Sequence, residues 1–394
     1  MSTSAAQIRA YKGPALFSYG FRPFFLFGAL WAAIAVALWL PILSGHLHLP
    51  STLAPLEWHT HELIYGYVPA IVAGFLLTAV PNWTGRLPVV GARLAILFFV
   101  WVAGRMAIFF SHLLGAWIAA AIDMTFLLAL GSVIAREIIA SGNTRNLKVL
   151  AGVALLLIGN GLFLLEANIG IGHGHGTRLG IGAAIMLVML IGGRIIPSFT
   201  RNWLARRGPG RLPTPFDRFD VAVMLGSGLA IASWIFAPES IATAALSLIA
   251  GTLNIVRLAR WAGDRTSAEK LVLILHVAYA FVPVGFFLLA LGILRPDVVA
   301  QTGALHGWTT GAIGMMTLAV MTRASLGHTG RRLTASRPIQ LIYLAVLIAA
   351  LARISAAFDL LREPMLHLSA MAWVAAFGGF VVAYAPLLLR QSSP

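Results

Sequence analysis

Long apolar stretches constrain this chain more than any other feature of its sequence. The segment from Leu63 to Val80, for example, contains no charged residue. A helix of about 20 apolar residues is long enough to cross the roughly 30 Å hydrocarbon layer of a bilayer. The sequence therefore predicts an all-α membrane protein with twelve transmembrane helices, near residues 24–43, 62–80, 93–110, 115–136, 148–168, 178–197, 219–237, 239–257, 270–293, 304–322, 338–358 and 367–389.

The composition agrees with this prediction and limits the chemistry. Of the 394 residues, 59% are hydrophobic and only 10% are charged, whereas soluble domains carry about 25% charged residues. The longest hydrophilic stretch, 200–218, is too short to fold by itself, so we expect one polytopic membrane domain over residues 1–394. The chain has no cysteine, which leaves histidine, methionine, carboxylate and carbonyl oxygen as metal ligands.

The basic residues predict the orientation of the chain in the membrane. The net charge is +15, but the lysines and arginines concentrate in the connections on one side. The connection 44–61 on the other side has none, and 294–303 has only Arg295. The positive-inside rule therefore predicts an inner-membrane protein with both termini in the cytoplasm, and it explains the charge without nucleic acid as a partner.

The histidines show the opposite distribution. Nine of the eleven fall at the outer ends of predicted spans or in outer loops. Insertion rules do not require this clustering, although chance and the general preference of histidine for interfaces can supply part of it. These nine are His46, His48, His59, His61, His112, His173, His175, His306 and His367.

A repeat connects three of the predicted spans. His61 precedes Thr84 by 23 residues and Arg86 by 25, and the same spacings separate His306 from Thr329 and Arg331. The sixth span follows a similar plan from His175 onwards. Because these spans are the second, sixth and tenth, we expect three pseudo-repeated units of four helices, approximately 15–140, 141–262 and 263–394.

The repeat suggests a haem site. Two imidazoles at similar depth on equivalent helices, His61 and His306, suit the axial positions of a haem. Arg105 and Arg353 lie about five residues from the outer ends of their spans and could neutralise the propionates. For each histidine taken alone, hydrogen bonding between helices is the alternative interpretation.

The remaining candidates suggest a copper site and groups that carry protons. His173 and His175 in GHGHG can converge on one metal, with His59 as a further ligand, and imidazole without thiolate suits copper, zinc or iron. A solvated loop is the alternative for GHGHG. Glu62 is expected to accept from His59 or to donate protons. Tyr65, Asp123, Glu57 and Glu166 are further proton-carrier candidates, and His276 could serve in ligation, packing or relay; for Asp123 we favour pairing with Arg105.

At these motifs the sequence resembles the NnrS family. The resemblance implies a bacterial inner-membrane protein that contains haem b and copper and takes part in nitric oxide metabolism and resistance to nitrosative stress. The motifs that carry it are GFRPFFLFGALWA (20–32), WHTHELIYGY (58–67), GFLLTAVPNWTGR (74–86), FVWVAGR (99–105), GGRIIPSFTRN (192–202) and ALHGWTTGAIGMMTLAVMTRASLGHTGR (304–331).

The three-by-four plan is also similar to the large subunit of haem-copper oxidases and nitric oxide reductases, with outer histidines on the second, sixth and tenth helices. This chain departs from that pattern, because it lacks adjacent histidines on the seventh helix and two closely spaced histidines in the tenth. Fold similarity does not carry function by itself.

Three functions remain open at the level of sequence. The first is binding and reduction of nitric oxide by haem and copper, with electrons from a quinol or another donor. The second is transport of a metal, haem or nitrosyl-iron species, and the third is nitric oxide sensing. Whether the protein turns over substrate, and whether it is a monomer or a homo-oligomer in the lipid membrane, does not follow from the sequence.

Overall fold

The protein is helical, as its apolar stretches predict. The computed structural model describes residues 11–142, 146–172 and 174–390, and this part of the chain contains no strand. Eleven of its helices are long and apolar enough to cross a bilayer, which makes it a multi-pass membrane protein. They are α1 Phe21–Leu43, α2 Pro55–Thr84, α3 Ala92–Phe109, α4 Ala116–Ala140, α5 Leu147–Ile169, α6 His175–Leu204, α7 Arg218–Phe236, α8 Ile241–Ala259, α9 Lys270–Leu294, α11 Arg337–Ala357 and α12 Arg362–Leu389.

The predicted span 304–322 differs from the other eleven. Its region forms α10, residues 307–328, in which the wide-turn segment Gly307–Gly314 leads directly into the regular helix Met315–His328. Unlike α2, which also contains a wide-turn segment, α10 is not among the helices that are long and apolar enough to cross a bilayer. Twelve spans are therefore not confirmed, and neither is the threefold repeat.

Wide π-type turns occur directly after two of the repeat histidines. In α2 the segment Glu62–Tyr67 follows His61, and in α10 the segment Gly307–Gly314 follows His306. Such turns are rare within α-helices and occur frequently at functional sites. Four short helical segments complete the description: Ala15–Phe17, Ser111–Leu114, Gly263–Arg265 and Gln301–Ala304.

The helices form two compact units. The first contains the chain up to Ala183, with His328–Gly330 and the part from Phe377 onwards. In this unit α1 packs on α2, α3 on α4, and α4 on α5. Gly104 allows the close approach of α3 to α4, since a Cβ atom there would lie 3.2 Å from the Cα of Asp123.

The second unit contains residues 184–327 and 331–376. Here α7 packs on α8, α8 on α9, and α9 on α10. A buried arginine of this unit is paired: Arg257 Nε donates to Asp220 Oδ1 at 2.8 Å and Nη1 to the Tyr279 hydroxyl at 2.8 Å. This ion pair satisfies an arginine that lies deep among apolar side chains.

Candidate functional site

Six polar side chains meet inside the first unit, and we call this group the His61 cluster. Five consecutive helices contribute to it, although each helix is mainly apolar. His61 and Glu62 are 0% exposed, and Arg105 and Asp123 are at most 3% exposed. The members are Trp31 of α1, His61 and Glu62 of α2, Arg105 of α3, Asp123 of α4 and Asn160 of α5.

Arg105 connects the two carboxylates of the cluster. Its Nη1 donates to Glu62 Oε2 at 2.6 Å, and its Nη2 donates to Asp123 Oδ1. The predicted pairing of Arg105 with Asp123 is therefore confirmed. Because a buried guanidinium needs anionic partners within a membrane, two carboxylates compensate its charge from neighbouring helices.

Acceptors surround the ring of His61. Nδ1 lies 3.1 Å from Glu62 Oε1, while Nε2 lies 3.1 Å from Asn160 Oδ1 and 3.3 Å from Asp123 Oδ2. The Asn160 amide nitrogen donates to Asp123 Oδ2 at 2.7 Å, so its oxygen is the atom that faces His61. Both ring nitrogens can donate only in the doubly protonated form. An imidazolium makes the cluster neutral, with two cations and two anions.

This arrangement does not fit His61 as a metal ligand. Ligation requires a ring nitrogen with its lone pair directed at the metal, whereas both nitrogens of His61 face carboxylate or amide oxygens. The sequence predicts that His61 is a metal ligand. To bind a metal, its ring would have to break either the contact with Glu62 or the contacts with Asn160 and Asp123.

Glu62 accepts hydrogen bonds in the cluster. Trp31 Nε1 donates to its Oε2 at 2.7 Å, in addition to the contacts with Arg105 and His61. The sequence-based expectation placed Glu62 beside His59 by regular α-helical spacing. Instead, the carboxylate contacts Trp31 of α1 and Arg105 of α3.

Gly66 provides the space for the ion pair on α2, and a substitution there tests the geometry. A Cβ atom at Gly66 would lie 2.3 Å from Arg105 Nη1 and 2.9 Å from Glu62 Oε2. We expect Gly66→Ala to lower the free energy of unfolding by about 1–3 kcal/mol because it displaces the guanidinium. Thermal unfolding of the purified protein in detergent measures the effect.

Gly131→Ala is the matched control on α4. A Cβ there meets only Val153, at 3.7 Å, and alanine is favoured over glycine within a helix by about 1 kcal/mol. The control should therefore be as stable as the native chain or more stable. Equal destabilisation by the two substitutions would contradict the assigned role of Gly66.

Tyr65 joins three helices. Its hydroxyl donates to the carbonyl of Gly176 at 2.6 Å, and its ring fills the space beside Gly159 and Gly180, where a Cβ would lie 2.6 and 2.3 Å from the hydroxyl oxygen. A proton-carrying role for Tyr65 stays a prediction; its packing role follows from these contacts.

Glu166 orients His175 at the start of α6. Glu166 Oε1 accepts from the backbone N–H of His175 at 2.9 Å and lies 3.3 Å from its Nδ1, while Oε2 accepts from the backbone N–H of Gly176 at 3.1 Å. A carboxylate that holds one ring nitrogen presents the other to a metal in many metal sites. His175 is therefore suited to ligation.

His306 has a comparable arrangement in the second unit. It is half-buried, and its Nδ1 lies 3.1 Å from the backbone carbonyl of Thr302. Donation from Nδ1 places the lone pair on Nε2, the form in which imidazole binds metals. This residue also fits the chemistry of a ligand.

The other predicted residues have separate environments. His59 stacks on Trp39 with ring centroids 4.3 Å apart, and His173 lies outside the described residues. In the second unit His276 is buried, with Nε2 2.8 Å from Thr200 Oγ1 and no hydrogen-bond partner at Nδ1. Arg353 is half-buried and makes no ion pair within the described ranges.

The structure brings together only part of the predicted site. His61, Glu62 and Arg105 form one cluster with Asp123, whereas no group of three or more histidine, aspartate or glutamate side chains in the described part of the chain could hold a metal ion. Trp31 and Asn160 were missed by sequence reasoning. An asparagine in an apolar span, as in LLIGNGLFLL, is a signal that could have identified one of them.

The sequence was also compared with known proteins. A family model described as NnrS protein matches residues 15–392. This range includes every residue of the His61 cluster and every predicted ligand. A search of curated proteins gave no match.

Proposed function

Since the chain belongs to the NnrS family, we propose that it is a haem- and copper-containing inner-membrane protein that binds nitric oxide and reduces it near the periplasmic side. Family membership fits a nitric-oxide-related membrane protein. In this proposal the protein protects the cell from nitrosative stress by removing nitric oxide that has dissolved in the bilayer.

The observation that carries the proposal is the His61 cluster. Ionisable groups within a membrane are costly and therefore mark functional sites by default. Here four of them, His61, Glu62, Arg105 and Asp123, are buried together in an arrangement with balanced charges. Such a cluster costs desolvation energy that a purely structural contact between apolar helices would avoid.

Ring contacts support two of the proposed metal ligands, His175 and His306. His175, held by Glu166, would bind copper with His59 and His173. His306, whose Nδ1 faces Thr302, would bind haem, and Arg353 would neutralise a propionate. Bound haem and copper supply redox centres that take up nitric oxide and electrons. His61 is assigned to the cluster instead of to the metals.

Reduction of two nitric oxide molecules to nitrous oxide and water requires two electrons and two protons. The electrons come from a quinol or another donor. Moving protons through lipid needs ionisable side chains, and the His61 cluster in the first unit is a buried group of such residues. Glu62 and Asp123 hold the imidazole of His61 between them.

The orientation and the helix count belong to the same proposal. Residues 304–328 would form the tenth of twelve spans, and the wide turns after both His61 and His306 support the equivalence of α2 and α10. The arginine-rich side would be cytoplasmic, with both termini there.

Spectroscopy on the purified protein tests the proposal. We expect haem and copper in metal analysis, haem absorption bands that change when nitric oxide is added, and formation of nitrous oxide with a quinol or dye donor. Nitric oxide that binds without being consumed would contradict the enzymatic part. Protein that purifies folded from haem-replete cells without either metal would contradict the whole proposal.

A further inference from the structure

An open cavity of about 940 Å³ lies at one end of the first unit, where α2 ends, α3 begins and α4 ends. Helix ends that meet in this way lie at one surface of the bilayer, at the level of the lipid headgroups. The loop 85–90, Arg93, Arg136 and Glu137 contribute to its lining. None of these residues belongs to the His61 cluster.

The cavity is positively charged. Glu137 accepts from Arg86 Nε and from Arg136 Nε and Nη2, the last two at 3.0 and 2.8 Å. These two arginine side chains remain 44% and 58% exposed. Arg93 is exposed and makes no ion pair in the described chain. The lining therefore contains three guanidinium groups and one carboxylate, which gives it a net charge of +2.

The same cavity has an apolar side. Leu87 is 44% exposed, and Val89 and Val90 are half-buried in the non-helical loop. Gly85 and Gly91 bound this loop with φ values of 69° and 66°, a left-handed conformation that glycine adopts without steric cost. The loop can therefore turn back between two spans and keep apolar side chains beside the arginines.

We propose that this cavity binds the phosphate of an anionic phospholipid headgroup, with the adjoining acyl chain against Leu87. Basic pockets between transmembrane helices on the arginine-rich side are suited to such headgroups. Guanidinium groups bind phosphate oxygens through paired N–H donors. Inorganic phosphate would use the same cations but would gain nothing from the apolar loop.

Native mass spectrometry of the full chain in a phosphate-free detergent tests the proposal. Phosphatidylglycerol, phosphatidylcholine and inorganic phosphate are titrated separately. We expect phosphatidylglycerol to bind with the highest affinity and Arg93→Gln to weaken it about fivefold. Arg93→Lys, which keeps the charge but loses the paired donors, should weaken binding less than Arg93→Gln does. Arg332→Gln, an exposed arginine outside the cavity, is the control and should leave binding unchanged.

Several results would overturn the proposal. Equal affinity for phosphatidylglycerol and phosphatidylcholine would exclude recognition of the anionic headgroup. Equal losses in Arg93→Gln and Arg332→Gln would exclude this cavity as the site. Inorganic phosphate that binds as tightly as the lipid would assign the cavity to a free anion. An unfolding midpoint measured for each variant separates loss of binding from loss of folding.

Discussion

Replacing Arg105 with glutamine is expected to lower the free energy of unfolding by about 3–5 kcal/mol, because it leaves a buried negative charge uncompensated. Arg105 donates to both Glu62 and Asp123. In its absence His61 is the one remaining cation for two carboxylates. The glutamine amide can still donate hydrogen bonds but carries no charge. Thermal unfolding in detergent, followed by tryptophan fluorescence, measures the loss.

Two further variants make this prediction specific. Arg353→Gln removes an arginine at the position that the predicted repeat matches to Arg105. Arg353 makes no ion pair in the described structure, so the unfolding midpoint of this variant should move little. Adding Asp123→Asn to Arg105→Gln restores charge balance between Glu62 and His61. This double variant should therefore be more stable than Arg105→Gln alone. If it is less stable, the charge-balance explanation fails.

Replacing His61 and His306 with alanine is expected to produce two different defects. His61→Ala removes a cation from a buried cluster and should cost about 3–5 kcal/mol of stability, while the fraction of folded protein that carries haem stays the same. His306→Ala removes a proposed ligand. It should lower the haem content roughly tenfold or more with a small change in stability. Haem absorption per folded protein and unfolding midpoints give the two readouts.

The comparison also tests the original ligand prediction. His61→Gln keeps a hydrogen-bond donor in the cluster and serves as the milder variant if His61→Ala does not fold. His46→Ala is the control, since His46 is exposed and contacts Ser44. Loss of haem in His61→Gln with an unchanged unfolding midpoint would restore His61 as a ligand and contradict its assignment to the cluster.

Local sequence was sufficient for the features that depend on one helix at a time. The apolar stretches predicted the positions of eleven helices, because about 20 consecutive apolar residues have few folded alternatives outside a bilayer. The pairing of Arg105 with Asp123 could also be predicted from the sequence. Few anionic residues occur in the spans, and a guanidinium in lipid requires one of them.

The sequence did not predict which helices the α2 residues after His61 contact. Helical spacing tells which residues share a face of α2, but not which neighbouring helices that face meets. The fold places α1 and α3 beside Glu62, whose carboxylate contacts Trp31 and Arg105. The span predicted at 304–322 is not among the eleven apolar helices, and wide turns form its first part, Gly307–Gly314.

The sequence by itself determined that this is a multi-pass helical membrane protein of the NnrS family, because hydrophobic length and continuous motifs are local properties of the chain. Only the tertiary structure decided that His61 faces acceptors on both ring nitrogens. That environment is assembled by α2, α4 and α5, and a buried imidazole takes its protonation and its role from the groups that the fold packs around it.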